Sequence, residues 1–372
     1  MLIQIVPALP PTISGVGDYA VSLSRVLLKA HGVESSFVVC DPLWKGPVEI
    51  DGFPITRLDE RSASALQDAL TSLAGNRSAF PPSKTQAVLL QLSPYGFERN
   101  GAPFWLARGI CEWRQARGNS SPPLVTLFHE LYAMSPPWQR AFWVTIFQRK
   151  AIKQIYESTD VVLTTLARYS KYLDRYAYST ERHARTLNTA SSVGEPSDLP
   201  PLLTRPASIA VFGSARSRAY IYEKAASEIR DLINMLGVHE IVDIGAPLVD
   251  AAIPSLPCRF RALGVLPATA VSRELLQSRA GLVTYPVTHL GKSGIYAAYC
   301  AHGLAPIVCL KGANREASED GFSHGRHFLD ISEVALRSDW PSLAYVAAQA
   351  HLKYADRSLS CHADVLSRHV LT

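Results

Sequence analysis

The sequence predicts an α/β protein of two domains, each a mostly parallel sheet covered by helices on both faces. Three observations lead there. Short apolar runs alternate with longer segments of helical period. The short runs are apolar throughout, as in strands buried on both faces. A proline-rich break, Ser191–Pro206 (SSVGEPSDLPPLLTRP), separates two such series. A length of 372 residues suits two domains at about 150 residues each.

In chain order, Leu2–Val6 reads as a strand. A helix follows, with Tyr19, Ala20, Leu23, Val26, Leu27 and Ala30 at helical spacing and Gly32 closing it. Phe37–Cys40 and Ala87–Gln91 are strands, Phe104–Arg117 a helix, Leu124–Phe128 a strand and Pro137–Glu157 a long helix. Val161–Thr164 and Ala167–Tyr176 give a further strand and helix. After the break, Ser208–Phe212 opens the second series, followed by a helix near Ala219–Leu236 and strands at Glu240–Ile244 and Arg259–Gly264. A helix near Ala270–Ser278, a strand at Gly281–Tyr285, a helix near Ser293–His302 and a strand at Ala305–Cys309 complete it, and the tail from Pro341 is helical. The expected domains are residues 1–190 and 207–350, with 191–206 as linker and 351–372 as a helical segment packing back on the first domain. Such a pair places a cleft between its domains, where small ligands bind.

Composition narrows the function classes. At 47% apolar, 9% aromatic and 19% charged residues, the chain is neither disordered nor fibrous. Thirty-seven Lys and Arg against 32 Asp and Glu leave a net charge of +5, too weak to indicate nucleic acid. No run of about 18 uncharged apolar residues occurs, and the N-terminus has no basic signal-peptide region. The six cysteines are scattered and form no CxxC, which argues against a zinc site or disulfide framework and fits the cytoplasm.

Five segments bear chemistry. Ser14-Gly15-Val16-Gly17-Asp18-Tyr19-Ala20 joins the first strand to the first helix, and its glycines let a backbone approach a phosphate. The nine residues between Val6 and Gly15 separate it from a dinucleotide fingerprint, and a plain structural turn is the competing reading. His129 and Glu130 stand where a buried strand ends; His129 can polarise a sugar hydroxyl and Glu130 can accept its hydrogen bond, unless the histidine is satisfied by local backbone. Gly291-Lys292-Ser293-Gly294 nearly completes a P-loop, but Pro286 occupies its first glycine position. The turn still offers N–H groups and one Lys to a diphosphate, against the plain alternative of a solvated helix cap. Phe212-Gly213-Ser214-Ala215-Arg216-Ser217-Arg218, with Lys224 beyond, brings cations after the first strand of the second series, or else a solvated helix face. Four of the six tryptophans fall between Trp105 and Trp143, as an acceptor wall or as core. Arg140, Arg149, Lys150 and Lys153 make helix Pro137–Glu157 basic enough to rest on anionic lipid at the inner face of a membrane.

Together, SGVGDY after strand one, a strand ending FHE, the proline-rich break and a strand ending VFG with downstream Arg and Lys resemble the GT-B glycosyltransferases. These pair two Rossmann-like domains, and family 4, the retaining nucleotide-sugar enzymes, is the most similar. Gly264–Pro286 resembles that family's stretch before the donor site, and Ala301-His302-Gly303-Leu304-Ala305-Pro306 its AxGxP segment. The resemblance implies a nucleotide-diphosphate sugar as donor and a glycan, lipid-linked or small-molecule acceptor; the sequence shows no metal-ligand cluster, so a cationic protein site is expected in place of a metal, and the weak net charge gives no reason to expect a nucleic-acid partner. It implies contacts to the nucleotide sugar from Gly15, Val16, Gly17, Glu130, Gly213, Arg218, Lys292, Ser293 and Gly294. His129 would touch a sugar or acceptor hydroxyl, and Arg216, Arg218 or Lys224 would neutralise the leaving group. One departure stands out. The family's Glu-x7-Glu pair falls on Leu290 and Ala298, so the donor chemistry is altered, lost, or relocated to Glu316 or Glu319. A non-catalytic binding or scaffold protein and a nucleotide-sugar epimerase are the alternatives.

Overall fold

The computed structural model describes residues 1–12, 14–75, 86–132, 140–177, 183–248, 255–310, 318–337 and 339–370. The chain forms two compact units, Met1–Leu187 with Leu359–Thr372, and Asn188–Ser358.

In the first unit the elements run β1 (Leu2–Val6), α1 (Gly15–His31), β2 (Ser35–Val39), β3 (Glu49–Ile50), β4 (Phe53–Arg57), α2 (Ala63–Gly75) and β5 (Ala87–Leu92). They continue through α3 (Pro94–Phe97), α4 (Phe104–Arg117), β6 (Leu124–Phe128), α5 (Arg140–Glu157), β7 (Val161–Thr164), α6 (Ala167–Leu173) and β8 (Arg185–Thr186). The sheet order is β3-β4-β2-β1-β5-β6-β7-β8, parallel except for the β3–β4 hairpin. β1, β2, β5 and β6 are buried along their whole length, because helices cover both faces. On one face Ile3, Ile5, Leu90 and Phe128 pack with Leu66, Leu106, Ile110, Trp113 and Ile155, Trp105 lying partly buried beside them. On the other, Val6, Phe37 and Val39 meet Ala20 and Val21 of α1. Each such aliphatic side chain contributes about 1.5–3 kcal/mol on burial.

The second unit runs β9 (Ser208–Phe212), α7 (Ala215–Lys224), α8 (Ala226–Leu236), β10 (Glu240–Ile244), β11 (Arg259–Ala262), α9 (Ala268–Leu276) and β12 (Ala280–Val283). Then come α10 (Gly294–Ala301), β13 (Ala305–Val308), β14 (Leu329–Asp330), α11 (Ile331–Arg337) and α12 (Trp340–Tyr354). Its sheet order is β11-β10-β9-β12-β13-β14, all parallel. The final helix, α13 (Leu359–Val370), belongs to the first unit, where His362 Nδ1 meets the Tyr19 hydroxyl at 2.8 Å and His31 meets Asp364 at 3.0 Å.

Several stretches differ from the sequence expectation; of the tail expected to pack back on the first domain from residue 351, only Leu359–Thr372 falls in the first unit. The single helix near Ala219–Leu236 is two helices, α7 and α8, because Ala225 leaves helical geometry at φ −121°, ψ 22°. Ser191–Pro206 lies within the second unit and is not a slack connection. Ser191 N donates to the Tyr354 hydroxyl (2.8 Å), and the Arg205 guanidinium donates to the carbonyls of Pro200, Ser278 and His302. Its prolines thus set an extended path across packed surface. Part of the expected Pro137–Glu157 helix, Trp138 and Glu316 lie outside the described residues.

Candidate functional site

In the second unit the chain leaves β9 toward β10 and β11 on one side, and later fills β12, β13 and β14 on the other. Strand order therefore reverses between β9 and β12, and the carboxyl ends flanking such a reversal are where open α/β sheets generally bind ligands. Gly213-Ser214 follows β9. Gly213 has φ +140°, a backbone geometry that favours glycine, and a Cβ on it would stand 2.6 Å from the Ile295 side-chain tip of α10, which would have to shift. Ser214 caps α7, its hydroxyl accepting from Ser217 N at 3.2 Å, and Arg216 is exposed in that helix's first turn.

After β12, a 3-10 turn over Val287–Lys292 leads to Ser293, which is buried and caps α10 by accepting from Tyr296 N at 3.2 Å. Lys292 is half-buried beside this cap. The turn is pinned from behind: the Gly291 carbonyl accepts from Thr189 N (2.7 Å) and from Arg357 Nη2 (3.4 Å). A Cβ at Gly291 would stand 2.4 Å from Asn188 Nδ2 and 3.0 Å from the Asp320 carboxylate, which itself accepts from Asn188 (3.0 Å). The start of α7 follows β9 directly and that of α10 follows the turn after β12, and Gly213 meets Ile295 between them; at each start, N–H groups and the helix dipole favour an anion.

Tyr299, which sequence reading missed, braces these strand ends. Its hydroxyl accepts from Phe212 N (3.1 Å) and donates to Leu282 O (3.0 Å), tying the ends of β9 and β12 together. Burial pushes its phenol well up, so it stays a neutral donor. The signal was Gly281 inside an apolar strand: a Cβ there would lie 2.6 Å from the Tyr299 ring.

Two of the expected cations are placed elsewhere. Arg218 is fully buried and ion-paired with Asp243, and it also donates to Gly213 O (3.1 Å) and to Ala246 O. Asp243 accepts in turn from the Tyr222 hydroxyl at 2.8 Å. Arg218 therefore shapes the loops after β9 and β10 and does not present its charge to a ligand. Lys224 is exposed at the far end of the ten-residue α7, about 15 Å along the axis from its start. Leu290 and Ala298 are fully buried in the apolar core, and Glu319 is exposed.

In the first unit the strand order reverses between β1 and β5. α1 starts at Gly15, so the glycine segment is the helix's first turn, with Ser14 accepting from Gly17 N (3.2 Å). Gly15 is exposed and Val16 half-buried. Gly17 is buried, and a Cβ on it would lie 2.5 Å from Ala8 O, so this glycine serves the packing of α1 on the loop after β1.

His129 ends β6 and is nine-tenths buried. Its Nε2 lies 2.8 Å from Gln91 Oε1. Gln91 Nε2 donates to Gln4 Oε1 (2.9 Å), Gln4 Nε2 to Ser24 Oγ (2.7 Å), and Ser24 Oγ to Ala20 O (3.0 Å). The chain has one consistent direction, which puts the proton on His129 Nε2 and makes Nδ1 the acceptor. Tyr19 packs edge-on against the ring at 5.4 Å. Glu130 is half-buried, with Oε2 accepting from Ser93 Oγ at 3.4 Å. The buried glutamines interrupt otherwise apolar strands, and that is the sequence signal for this network.

Among the described residues, no group of three or more His, Cys, Asp or Glu is placed to hold a metal ion, and no helix is long and apolar enough to cross a membrane. No protein-family model matches the sequence, and no curated protein matches it. Solved structures do match. An alpha-glucosyltransferase (AGT) in complex with UDP aligns over 99% of this chain and 98% of its own at TM-score 0.57 and 10% identity. Anabaena HepE in complex with UDP-glucose aligns over 99% of both chains at TM-score 0.58 and 10% identity. The lipopolysaccharide outer core galactosyltransferase WaaB aligns over 100% of this chain and 99% of its own at TM-score 0.59 and 10% identity. These neighbours are GT-B glycosyltransferases. The chain has the GT-B fold. At such identity the likeness extends to the fold, which here spans both α/β units and includes the return of α13 to the first.

Proposed function

We propose that this GT-B protein is a glycosyltransferase of the retaining, family 4 type, taking its sugar from a nucleoside diphosphate sugar. One observation supports this above the rest: strand order reverses between β9 and β12, and Gly213, just after β9, lies against Ile295 in the first turn of α10, next to Lys292–Gly294. Backbone N–H groups at the starts of α7 and α10 would hold the diphosphate. Arg216 and Lys292 would neutralise the charge that develops as the nucleoside diphosphate leaves, the dominant electrostatic task of such a transfer, without a metal. UDP is the first nucleotide to test, because AGT and HepE hold UDP or UDP-glucose. The acceptor side is assigned to the first unit, where His129 Nδ1 would accept from a sugar hydroxyl while Gln91 keeps the ring oriented. Gly15, Val16 and Glu130 line the same sheet edge. The acceptor class is a glycan, a lipid-linked sugar or a small molecule. α5 exposes Ile146 (61%) and Phe147 (59%) near its cations, which suits peripheral contact with an anionic membrane.

A second reading has its own support. Leu290 and Ala298, where the resembling family has its Glu pair, are sealed in core, and the nearby carboxylate at the turn is Asp320. A protein that binds a nucleotide sugar without transferring it fits that loss. Incubation with a panel of nucleotide sugars and candidate acceptors, read by mass spectrometry, separates the readings. Acceptor plus one sugar indicates transfer; a donor epimer formed without acceptor indicates an isomerase; tight binding without product indicates a binding protein.

A further inference from the structure

The first unit carries a second candidate site, on its flank. A cavity of about 400 Å³ opens between Tyr132, just past β6, the α5 residues Arg149, Lys150 and Lys153, and Tyr172 and Arg175 at the end of α6. Tyr176 completes its wall. None of its described lining residues is acidic; the nearest carboxylate on α5, Glu157, pairs with Lys153 at 3.6 Å. The cations are oriented. The Arg149 guanidinium lies over the Tyr132 ring at 4.9 Å and that of Arg175 over Tyr172 at 5.1 Å, while the two rings meet edge-on at 6.3 Å. Stacking holds each planar fork in place, which cuts the entropy lost when it binds an oxyanion. Burial pushes the Tyr132 phenol up to about 12, so its hydroxyl stays protonated. With Lys153 partly offset by Glu157, the Arg149, Lys150 and Arg175 charges around this concavity still repel each other, and an anion relieves that repulsion.

We propose that this cavity binds a phosphoester group, with Arg149, Arg175, Lys150 and Lys153 on its oxygens and the tyrosine rings against the attached carbon skeleton. The inference is independent of the glycosyltransferase reading. A free phosphoester and a phospholipid headgroup share this chemistry. Ile146 and Phe147, exposed on α5, would meet acyl chains in the second case.

The test pairs calorimetry with glycerol 3-phosphate and co-sedimentation with phosphatidylcholine vesicles with and without phosphatidic acid. Wild-type protein should bind at least one anionic probe, more weakly as salt rises. Arg149→Gln/Arg175→Gln should bind at least tenfold more weakly at unchanged melting temperature, and Lys150→Gln, at an exposed position, should weaken binding in the same direction. Binding of the soluble probe assigns a free phosphoester; binding to phosphatidic acid vesicles alone assigns a headgroup. Failure of wild type to bind either probe, or equal binding by the double variant, overturns the proposal. Loss of probe binding in Lys292→Ala also overturns it, because that would place the phosphate on the second unit.

Discussion

His302 should make the second unit sensitive to mild acid. It is fully buried at the end of α10. Its Nδ1 lies 2.7 Å from Ala298 O, which can only accept, so Nδ1 carries the proton and Nε2 accepts from Ser272 Oγ at 2.7 Å. The neutral ring is thus satisfied at both nitrogens. Burial lowers its pKa from 6.5 to about 4, and the Arg205 guanidinium, which donates to the His302 carbonyl at 2.9 Å, adds to the drop. Between these values the unfolded chain takes a proton that the folded one refuses. Stability from this residue is therefore full above pH 6.5 and is lost as pH falls toward 4. At 1.36 kcal/mol per pH unit, the loss is about 2.5 kcal/mol by pH 4.5. Urea unfolding of wild type and His302→Gln between pH 7.5 and 4.5 isolates the effect from the carboxylates, which titrate in both proteins. The stability difference between them should shrink by about that amount as pH falls. Parallel pH profiles, or an NMR titration placing folded His302 near its unfolded pKa, would show that burial does not hold His302 neutral.

Arg218→Met should cost about 3–5 kcal/mol in urea unfolding, because the buried Asp243 carboxylate would lose its ion-pair partner and keep the Tyr222 hydroxyl; a loss below about 1 kcal/mol would mean that water reaches the site. Gly213→Ala should lose about 1–3 kcal/mol from backbone strain at φ +140°, and an unchanged melt would contradict the backbone geometry of the turn after β9. His129→Ala should lower turnover per folded molecule about 100-fold while nucleoside diphosphate affinity stays within about twofold; full specific activity with a lowered melting temperature would make His129 purely structural.

The parallel strands were the most legible part of the fold. Leu2–Val6, Leu124–Phe128 and Ser208–Phe212 occupy the residues expected of them, since a strand buried on both faces leaves a continuous apolar run. The β3–β4 hairpin was not read, being short and exposed at the sheet edge. Its signal was Asp51-Gly52, both with positive φ (53° and 82°), as such a tight turn requires. The cations were the least legible. Arg216 and Arg218 are two residues apart on a helix, so they point to opposite sides, one to solvent and one to Asp243. The segment shows two charges but not the helix start that orients them; Ser214 as an N-cap was the available clue. Glycines divided similarly. Gly17 looks like a ligand-facing residue in the sequence and is a packing residue in space, because the carbonyl it meets, Ala8 O, belongs to a loop that a local pattern does not place.

On the proposed reading, Lys292 and the start of α10 bind a nucleoside diphosphate at the strand-order reversal of the second unit. Calorimetric titration of UDP into wild type, Lys292→Ala and Arg216→Ala tests it directly, with a thermal melt of each protein to verify folding. The account predicts saturable binding by wild type and a loss of about 1–3 kcal/mol, roughly 5- to 150-fold in affinity, for Lys292→Ala at unchanged melting temperature. Unaltered affinity in a folded Lys292→Ala variant, or no binding of UDP or any other nucleoside diphosphate by wild type, would contradict it.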